Sequence, residues 1–293
     1  MTDWYSITAS IGTATRQAFQ LDRRTAIRGG WINQTYRISG RDGRQFFVKL
    51  NAADKLAMFS AEVAGLNEIA TTQTIRVPRP IANGTAGSQS FLVLEHLDLG
   101  GSGDSVSLGK QLAAMHRCSF RQFGYMQDNF IGSTQQPNAF SDDWVDFWRE
   151  RRLKYQLQLA SKKGYADLLE NLGWKLLDAL PAYFEGYSPQ PSLLHGDLWG
   201  GNHSYLPDGT PVIFDPAIYY GDREADLAMT ELFGGYSSDF YTAYRVAYPL
   251  HEGYALRRDL YNLYHILNHA NMFGGGYARQ AEGIMRRLLA IVR

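Results

Sequence analysis

The sequence predicts an α+β protein, and three observations carry that expectation. Within the first hundred residues, short apolar runs alternate in period two and are bounded by turn residues, the mark of a sheet. Beyond about residue 105 the apolar residues recur at three- and four-residue spacing, the mark of amphipathic helices. A glycine-rich joint, Leu99-Gly100-Gly101-Ser102-Gly103, stands between the two regimes. The expected division is a nucleotide-binding lobe over 1–97, a linker over 98–104 and a helical lobe over 105–293.

At 293 residues the chain is long enough for one large domain or two lobes, and no repeat or low-complexity tract interrupts it. A hydrophobic content of 45% with 20% charged residues is that of a soluble globular protein. Lys plus Arg and Asp plus Glu each number 29, so no net field favours nucleic acid or an anionic membrane. Cys118 is the only cysteine; no intramolecular disulfide is possible, which suits a reducing cytoplasm. The first residues do not read as a signal peptide, and no window of 18 apolar residues offers a membrane span. The expectation is a cytoplasmic protein without a membrane segment.

Strands come first. Thr25-Ala26-Ile27-Arg28 leads into Gly29-Gly30, and residues 34–39 alternate. Gly40-Arg41-Asp42-Gly43 has turn chemistry, and residues 45–50 form the next strand. Gly29 and Gly30 permit close backbone approach to a phosphate, though a plain hairpin turn would use the same residues. Lys49 ends its strand, and thirteen residues later Glu62 borders a helical stripe of Leu56, Phe59, Val63, Leu66 and Ile69. A carboxylate at that border either reaches solvent or finds a cation, and Lys49 is the obvious partner. Val77-Pro78-Arg79-Pro80 ends the helix and returns the chain to the sheet. Phe91-Leu92-Val93-Leu94-Glu95-His96-Leu97 is a strand meeting the joint, with backbone groups of Glu95 and Leu97 available to an adenine edge if this is a hinge. His96 reads as a surface or packing histidine.

Helices follow. They are expected over 107–117, with His116 a capping or core histidine, and from Ser141-Asp142-Asp143 to Lys163, with Trp144, Phe147, Trp148 and Tyr155 in the core. Others are expected over 166–184, after Asp222 as cap, over 256–271 and over 277–292. Asp226, in the helix after Asp222, reads as a structural group bonding the backbone of the loop at 195–202.

That loop carries the chemistry. His195-Gly196-Asp197-Leu198-Trp199-Gly200-Gly201-Asn202 sets an aspartate five positions before an asparagine, and thirteen residues further on Val212-Ile213-Phe214 ends in Asp215. A hydroxyl nucleophile needs a carboxylate to orient it and take its proton. A transferred phosphoryl group needs divalent cations held by an oxygen ligand on the loop and a carboxylate across from it. H-x-D-x-x-x-x-N alone arises often by chance; the strand-terminal aspartate at this distance makes it the arrangement of kinase-type phosphoryl transfer. Trp199, two residues past the proposed base, is either a stacking platform for the acceptor or packing beneath the loop.

Leu194–Asn202 as a whole, with Phe214-Asp215-Pro216-Ala217, Tyr220-Gly221-Asp222-Arg223-Glu224 and Phe273-Gly274-Gly275, resembles the fructosamine kinase (ketosamine-3-kinase) family. Gly29-Gly30 with Asn33, Phe47-Val48-Lys49, Val77-Pro78-Arg79-Pro80 and Glu95-His96-Leu97 agree, so the resemblance spans roughly residues 5 to 290. H-G-D is shared with choline and aminoglycoside kinases, whereas D-L-W-G-G-N and F-G-G are far more specific. The resemblance implies a protein-kinase-like bilobal fold: an amino-terminal antiparallel sheet with one main helix and a larger, mostly helical second lobe. It implies ATP-dependent phosphorylation of a ketosamine, free or on a glycated protein, at its O3 hydroxyl. The phosphorylated product is unstable and frees the amine. Asp197 would be the base and Asn202 and Asp215 would hold Mg2+. Lys49 and Glu62 would position phosphates, Glu95 and Leu97 would hold adenine by backbone, and Gly29, Gly30 and Asn33 would line the nucleotide turn. Some relatives carry a cysteine in that turn that supports a disulfide dimer; Trp31 stands there in this chain, so no such dimer is expected.

Two other readings are weighed. An aminoglycoside- or choline-type kinase would need an acidic pocket or an aromatic cage for its cation. A pseudokinase binding module would be free to lose one of Lys49, Glu62, Asp197, Asn202 and Asp215, yet all five are present. A protein kinase is disfavoured because no A-P-E follows Asp215.

Overall fold

The computed structural model describes residues 2–27 and 32–292, so Gly29, Gly30 and Trp31 lie outside the described residues. In chain order the elements begin with α1 (Trp4–Thr15), β1 (Leu21–Ile27), β2 (Gln34–Gly40), β3 (Gln45–Ala52), α2 (Leu56–Thr71), β4 (Pro80–Ala86) and β5 (Gln89–Glu95). They continue with α3 (Ser105–His116), β6 (Asn129–Ile131), β7 (Thr134–Gln136), α4 (Trp144–Phe147), α5 (Lys154–Ala160), α6 (Ala166–Ala179) and β8 (Ser192–Leu194). The last are β9 (His203–Tyr205), β10 (Pro211–Ile213), β11 (Tyr219–Gly221), α7 (Glu224–Glu231), α8 (Ser238–Ala247), α9 (Tyr254–Phe273) and α10 (Tyr277–Ile291). They form two compact units, Met1–Asp104 with His203–Pro216, and Ser105–Asn202 with Ala217–Arg293.

The first unit is built on a five-stranded antiparallel sheet in the order β1-β2-β3-β5-β4. Period-two alternation sorts β3 between two environments. Phe46, Val48 and Leu50 enter a core with Ile7 and Ile11 of α1, Ile38 of β2 and Phe91 and Val93 of β5. Phe47 and Lys49 therefore face the opposite side. α2 buries Phe59, Leu66 and Ile69 as expected, with Leu56 and Val63 half-buried and Met58 added. α1 was not expected: its only buried residues are Ile7 and Ile11, too sparse a stripe to stand out among serines and threonines. Asp3 caps it by accepting the Ser6 N–H at 3.1 Å.

The grouping of 203–216 corrects the expectation that everything after residue 104 belongs to the helical lobe. β9 and β10 form a hairpin that is bonded into the first unit through Ile213 N–H to the Arg76 carbonyl at 3.0 Å. Gly100 and Gly101 both donate to the Tyr205 carbonyl at 3.2 Å. Such pairing links positions more than a hundred residues apart, and local periodicity carries no trace of it.

The second unit is mostly helical. Asp143 caps α4, accepting the Asp146 N–H at 2.7 Å, and wide turns carry the helix on through α5. Gly164, at φ +89°, separates it from α6 as the expected end near residue 163 implies. Trp144, Phe147 and Trp148 are core residues, whereas Tyr155 is half-buried. Arg223 holds the cap position of α7, and Asp222, expected to be that cap, stands two positions before the start of the helix. Its carboxylate takes the Glu224 N–H but also the Tyr187 and Tyr261 hydroxyls, so it is an interior group. α8, capped by Ser237, is a short element absent from the sequence reading. Among the described residues no helix is long and apolar enough to cross a membrane.

Candidate active site

In the first unit, the alternation of β3 delivers Lys49 to the face away from α1, and α2 delivers Glu62. Lys49 Nζ lies 2.7 Å from Glu62 Oε1 and 2.5 Å from Asp215 Oδ1. The Lys49 side chain is 5% exposed, that of Glu62 12% and that of Asp215 46%. Burial works against the Lys49 charge, but the Asp215 and Glu62 carboxylates outweigh it and hold the ammonium's pKa above its ordinary value. Burial pushes the Glu62 carboxyl up against the pull of Lys49, and the Asp215 charge pushes it the same way. One cation thus serves two carboxylates, and Asp215 Oδ2 accepts no hydrogen bond among the described residues. Asp215 adopts φ +59°, a left-handed conformation that aspartate tolerates better than most side chains and that re-aims the chain immediately after β10.

Of the remaining residues expected at the nucleotide, Asn33 accepts the Asn51 Nδ2–H at 2.7 Å through its side-chain oxygen. The Glu95 carboxylate is occupied by Arg76 Nη2 at 2.6 Å and by the Arg79 N–H at 2.5 Å. The Glu95 N–H is also committed, donating to the Arg79 carbonyl at 2.9 Å, so it is not available to an adenine edge. Leu97 lies two residues beyond β5 and is half-buried.

In the second unit, β8 feeds the loop and β11 pairs beside it, Tyr219 opposite Leu194. Gly196 is obligatory: its φ is +82°, and a Cβ there would meet the Ala217 carbonyl oxygen at 2.1 Å. The backbone of His195 and Gly196 is held by Asp226, as expected. Asp226 Oδ2 accepts the His195 N–H at 2.6 Å and Oδ1 the Gly196 N–H at 2.8 Å. His116 Nε2 stands 3.1 Å from Asp226 Oδ2, and its Nδ1 2.7 Å from the Tyr244 hydroxyl. Burial pushes the Asp226 carboxyl up, but the hydrogen bond and charge of His116 with the backbone donors prevail, and its pKa falls below the ordinary value. His116 is thus the core histidine that the sequence suggests, with Asp226 as its partner.

Leu198 is fully buried and pins the loop to the core. Asn202 Nδ2 donates to the Asp197 carbonyl at 2.8 Å and approaches its Oδ2 at 3.4 Å. With its amide nitrogen so directed, Asn202 keeps Oδ1, which accepts no hydrogen bond among the described residues, for another ligand. Trp199 is 39% exposed, so its indole is not packing material beneath the loop. It lies over Gly201, where a Cβ would strike the ring, and its carbonyl accepts the Tyr236 hydroxyl at 3.3 Å.

A buried lysine–glutamate pair joined to an aspartate, with an Asp–Asn loop, is the equipment of an ATP-dependent kinase-type phosphotransferase. The model of the fructosamine kinase family matches residues 3–291, and the chain belongs to that family. It is 47% identical over 294 residues to a probable ketoamine kinase of Synechocystis, covering 98% of this chain and 97% of that one. It is 42% identical to the chloroplastic protein-ribulosamine 3-kinase of Arabidopsis thaliana, covering 94% and 86%. Among solved structures, a candidate fructosamine-3-kinase of Haemophilus somnus superposes with a TM-score of 0.89 at 28% identity, over 98% of both chains. The protein-kinase-like fold expected from the resemblance is the fold of this chain.

Proposed function

We propose that this protein transfers the terminal phosphoryl group of ATP to the O3 hydroxyl of a ketosamine, on a free amine or a glycated protein, and so initiates its deglycation. The observation that carries the reading is the Lys49–Glu62–Asp215 ion cluster, buried at its lysine and glutamate, in a chain whose loop also holds Asp197 and Asn202. Lys49, held charged and fixed by Glu62, grips the phosphates, while the Glu95 carbonyl and Leu97 backbone hold adenine, with Gly29, Gly30 and Asn33 at the phosphate turn. Asp197 orients the acceptor hydroxyl and takes its proton as the oxygen–phosphorus bond forms and the bond from the γ-phosphorus to the β-phosphate oxygen breaks, releasing ADP. Trp199, exposed on the same loop, offers the sugar a flat apolar face. The single cysteine favours a cytoplasmic setting.

Asn202 and Asp215 would hold Mg2+. The donor chemistry fits: Asp215 offers a carboxylate oxygen and Asn202 an amide oxygen, neither engaged in a hydrogen bond among the described residues, and Asp215 shares its single lysine with Glu62. When bound, the cation offsets the triphosphate charge and the charge that develops on transfer. Asp215→Ala is expected to weaken magnesium–nucleotide binding at least about tenfold, roughly 1.4 kcal/mol. Titration calorimetry of ADP with and without Mg2+ checks this, and an unchanged metal-dependent affinity would remove Asp215 as ligand.

The substrate is tested by offering ribulosyl-lysine, fructosyl-lysine, choline and kanamycin in parallel with ATP and following phosphate transfer. Transfer to the ketosamines is expected. Transfer to choline or kanamycin alone would overturn the assignment.

A further inference from the structure

β6 and β7 form a hairpin that sends Asn129 and Gln136 into the interior of the second unit. Gln136, Asn138 and Arg152 are fully buried, and Asn129 is nearly so. Buried amides are costly unless their donors and acceptors are met, and these meet one another and three backbone carbonyls, those of Ala217, Ile218 and Gln127. Gln136 Nε2 donates to Asn129 Oδ1 at 2.7 Å and to the Ala217 carbonyl at 3.0 Å, while its Oε1 accepts the Tyr264 hydroxyl at 2.7 Å. Asn129 Nδ2 donates to the Ile218 carbonyl at 2.6 Å. Asn138 Nδ2 donates to Asn129 Oδ1 at 2.9 Å, and Asn138 Oδ1 accepts from Arg152 Nη2 at 2.8 Å. Arg152 lies 4.0 Å from the Tyr219 ring centroid and has no carboxylate partner among the described residues.

What this network grips is the residue on which the catalytic loop rests. Ala217 N–H donates to the His195 carbonyl at 2.8 Å, and the Ala217 carbonyl is the atom that Gly196 approaches too closely to carry a Cβ. Ala217 therefore stands as a spacer between the buried amides and the backbone that leads into Asp197. The Tyr264 hydroxyl, by donating to Oε1, turns the Nε2–H of Gln136 toward the Ala217 carbonyl, a direction an unconstrained amide would not keep.

We propose that Gln136 is a positioning residue for phosphoryl transfer: by clamping the Ala217 carbonyl it sets where His195 and Gly196 lie, and hence where Asp197 presents its carboxylate. The proposal rests on the reading of Asp197 as the base. It concerns only the second unit, so the nucleotide-gripping residues of the first should be indifferent to it.

The test compares Gln136→Leu and Tyr264→Phe with the wild type in three measurements: steady-state transfer to ribulosyl-lysine, ADP affinity, and amide hydrogen exchange by mass spectrometry. Small misplacements of a catalytic group are costly, so kcat is expected to fall at least about tenfold in Gln136→Leu and about threefold in Tyr264→Phe. ADP affinity measured without Mg2+ should move by less than about twofold, because Lys49 and Glu62 are unchanged and Asn202 is not called on. Exchange should accelerate in peptides covering 194–202 and 217–221 and stay unchanged in those covering 34–52 and 80–95. A general loss of packing would instead lower ADP affinity together with kcat, and that result overturns the proposal. So does a kcat within about twofold of wild type, or unaltered exchange at 194–202. If Gln136→Leu does not fold, Tyr264→Phe decides by the same readouts, since it keeps the ring against which Arg152 lies. If the wild type transfers phosphate to no ketosamine, the substrate reading falls by itself, and the exchange measurement still upholds or sinks the clamp.

Discussion

Replacing Asp197 by asparagine is expected to lower kcat by at least about two orders of magnitude while ADP binding persists. The substitution keeps the size of the side chain and its place beside Asn202, whose amide donates to the Asp197 backbone carbonyl and not chiefly to the carboxylate. It removes the negative charge and the carboxylate proposed to take the acceptor's proton. The nucleotide grip is proposed for Lys49, Glu62 and Asp215, which the change leaves alone. Steady-state kinetics with ADP titration read both quantities in one preparation. Turnover near the wild-type rate would strip Asp197 of its role, and loss of ADP binding would show that the substitution had damaged more than the base.

Asp226→Asn should act on both stability and rate. The native carboxylate accepts from His195 N–H, Gly196 N–H and the His116 side chain, and it is almost wholly buried. An asparagine has one acceptor oxygen, and its NH2 group would be turned against a backbone donor. Breaking one side of a buried, hydrogen-bonded pair costs roughly 3–5 kcal/mol. For a chain of this size each kcal/mol lowers the melting temperature by roughly 2–4 °C. The rate falls too, because the backbone that carries Asp197 loses its anchor. A variant melting within about 2 °C of wild type would refute the anchoring role.

The same carboxylate predicts an acid dependence, and the sign is fixed by its depressed pKa. A carboxyl held below its ordinary 3.8 in the folded state adds stability above that pH. The contribution is lost as the pH falls through the lower, folded-state value. The gap in melting temperature between wild type and Asp226→Asn should therefore be widest near neutrality and narrow below about pH 4. A gap of constant width down to pH 3 would mean that the ionised carboxylate is not its source.

Much of the candidate site could be read in advance because its signals are local. Glu62 borders an apolar stripe where a lone carboxylate is expensive, which already asks for a cation, and Lys49 ends the neighbouring strand. Asp226 falls inside a helix too apolar for an unpartnered charge. Where residue spacing carried no such demand, the reading failed. α1 and α8 are short helices with two or three buried residues apiece, too few to rise above their polar surroundings. Asp222 looked like a cap because aspartate usually caps, but the Tyr187 and Tyr261 hydroxyls drew it inward. Trp199 read equally as a stacking platform or as packing, and its exposure speaks against packing beneath the loop.

The amino-acid order by itself determined the α+β class and most of its main strands and helices, and it singled out Asp197, Asn202, Asp215, Lys49 and Glu62 as candidates, because periodicity and motif spacing are written along the chain. Tertiary structure alone decided that Asp215 shares Lys49 with Glu62, that 203–216 joins the sheet unit, and that Gln136 grips Ala217. Each of these joins residues about 80 or more positions apart. Such pairings are chosen by which buried polar groups can satisfy one another once the core has closed, a condition no local window of sequence contains.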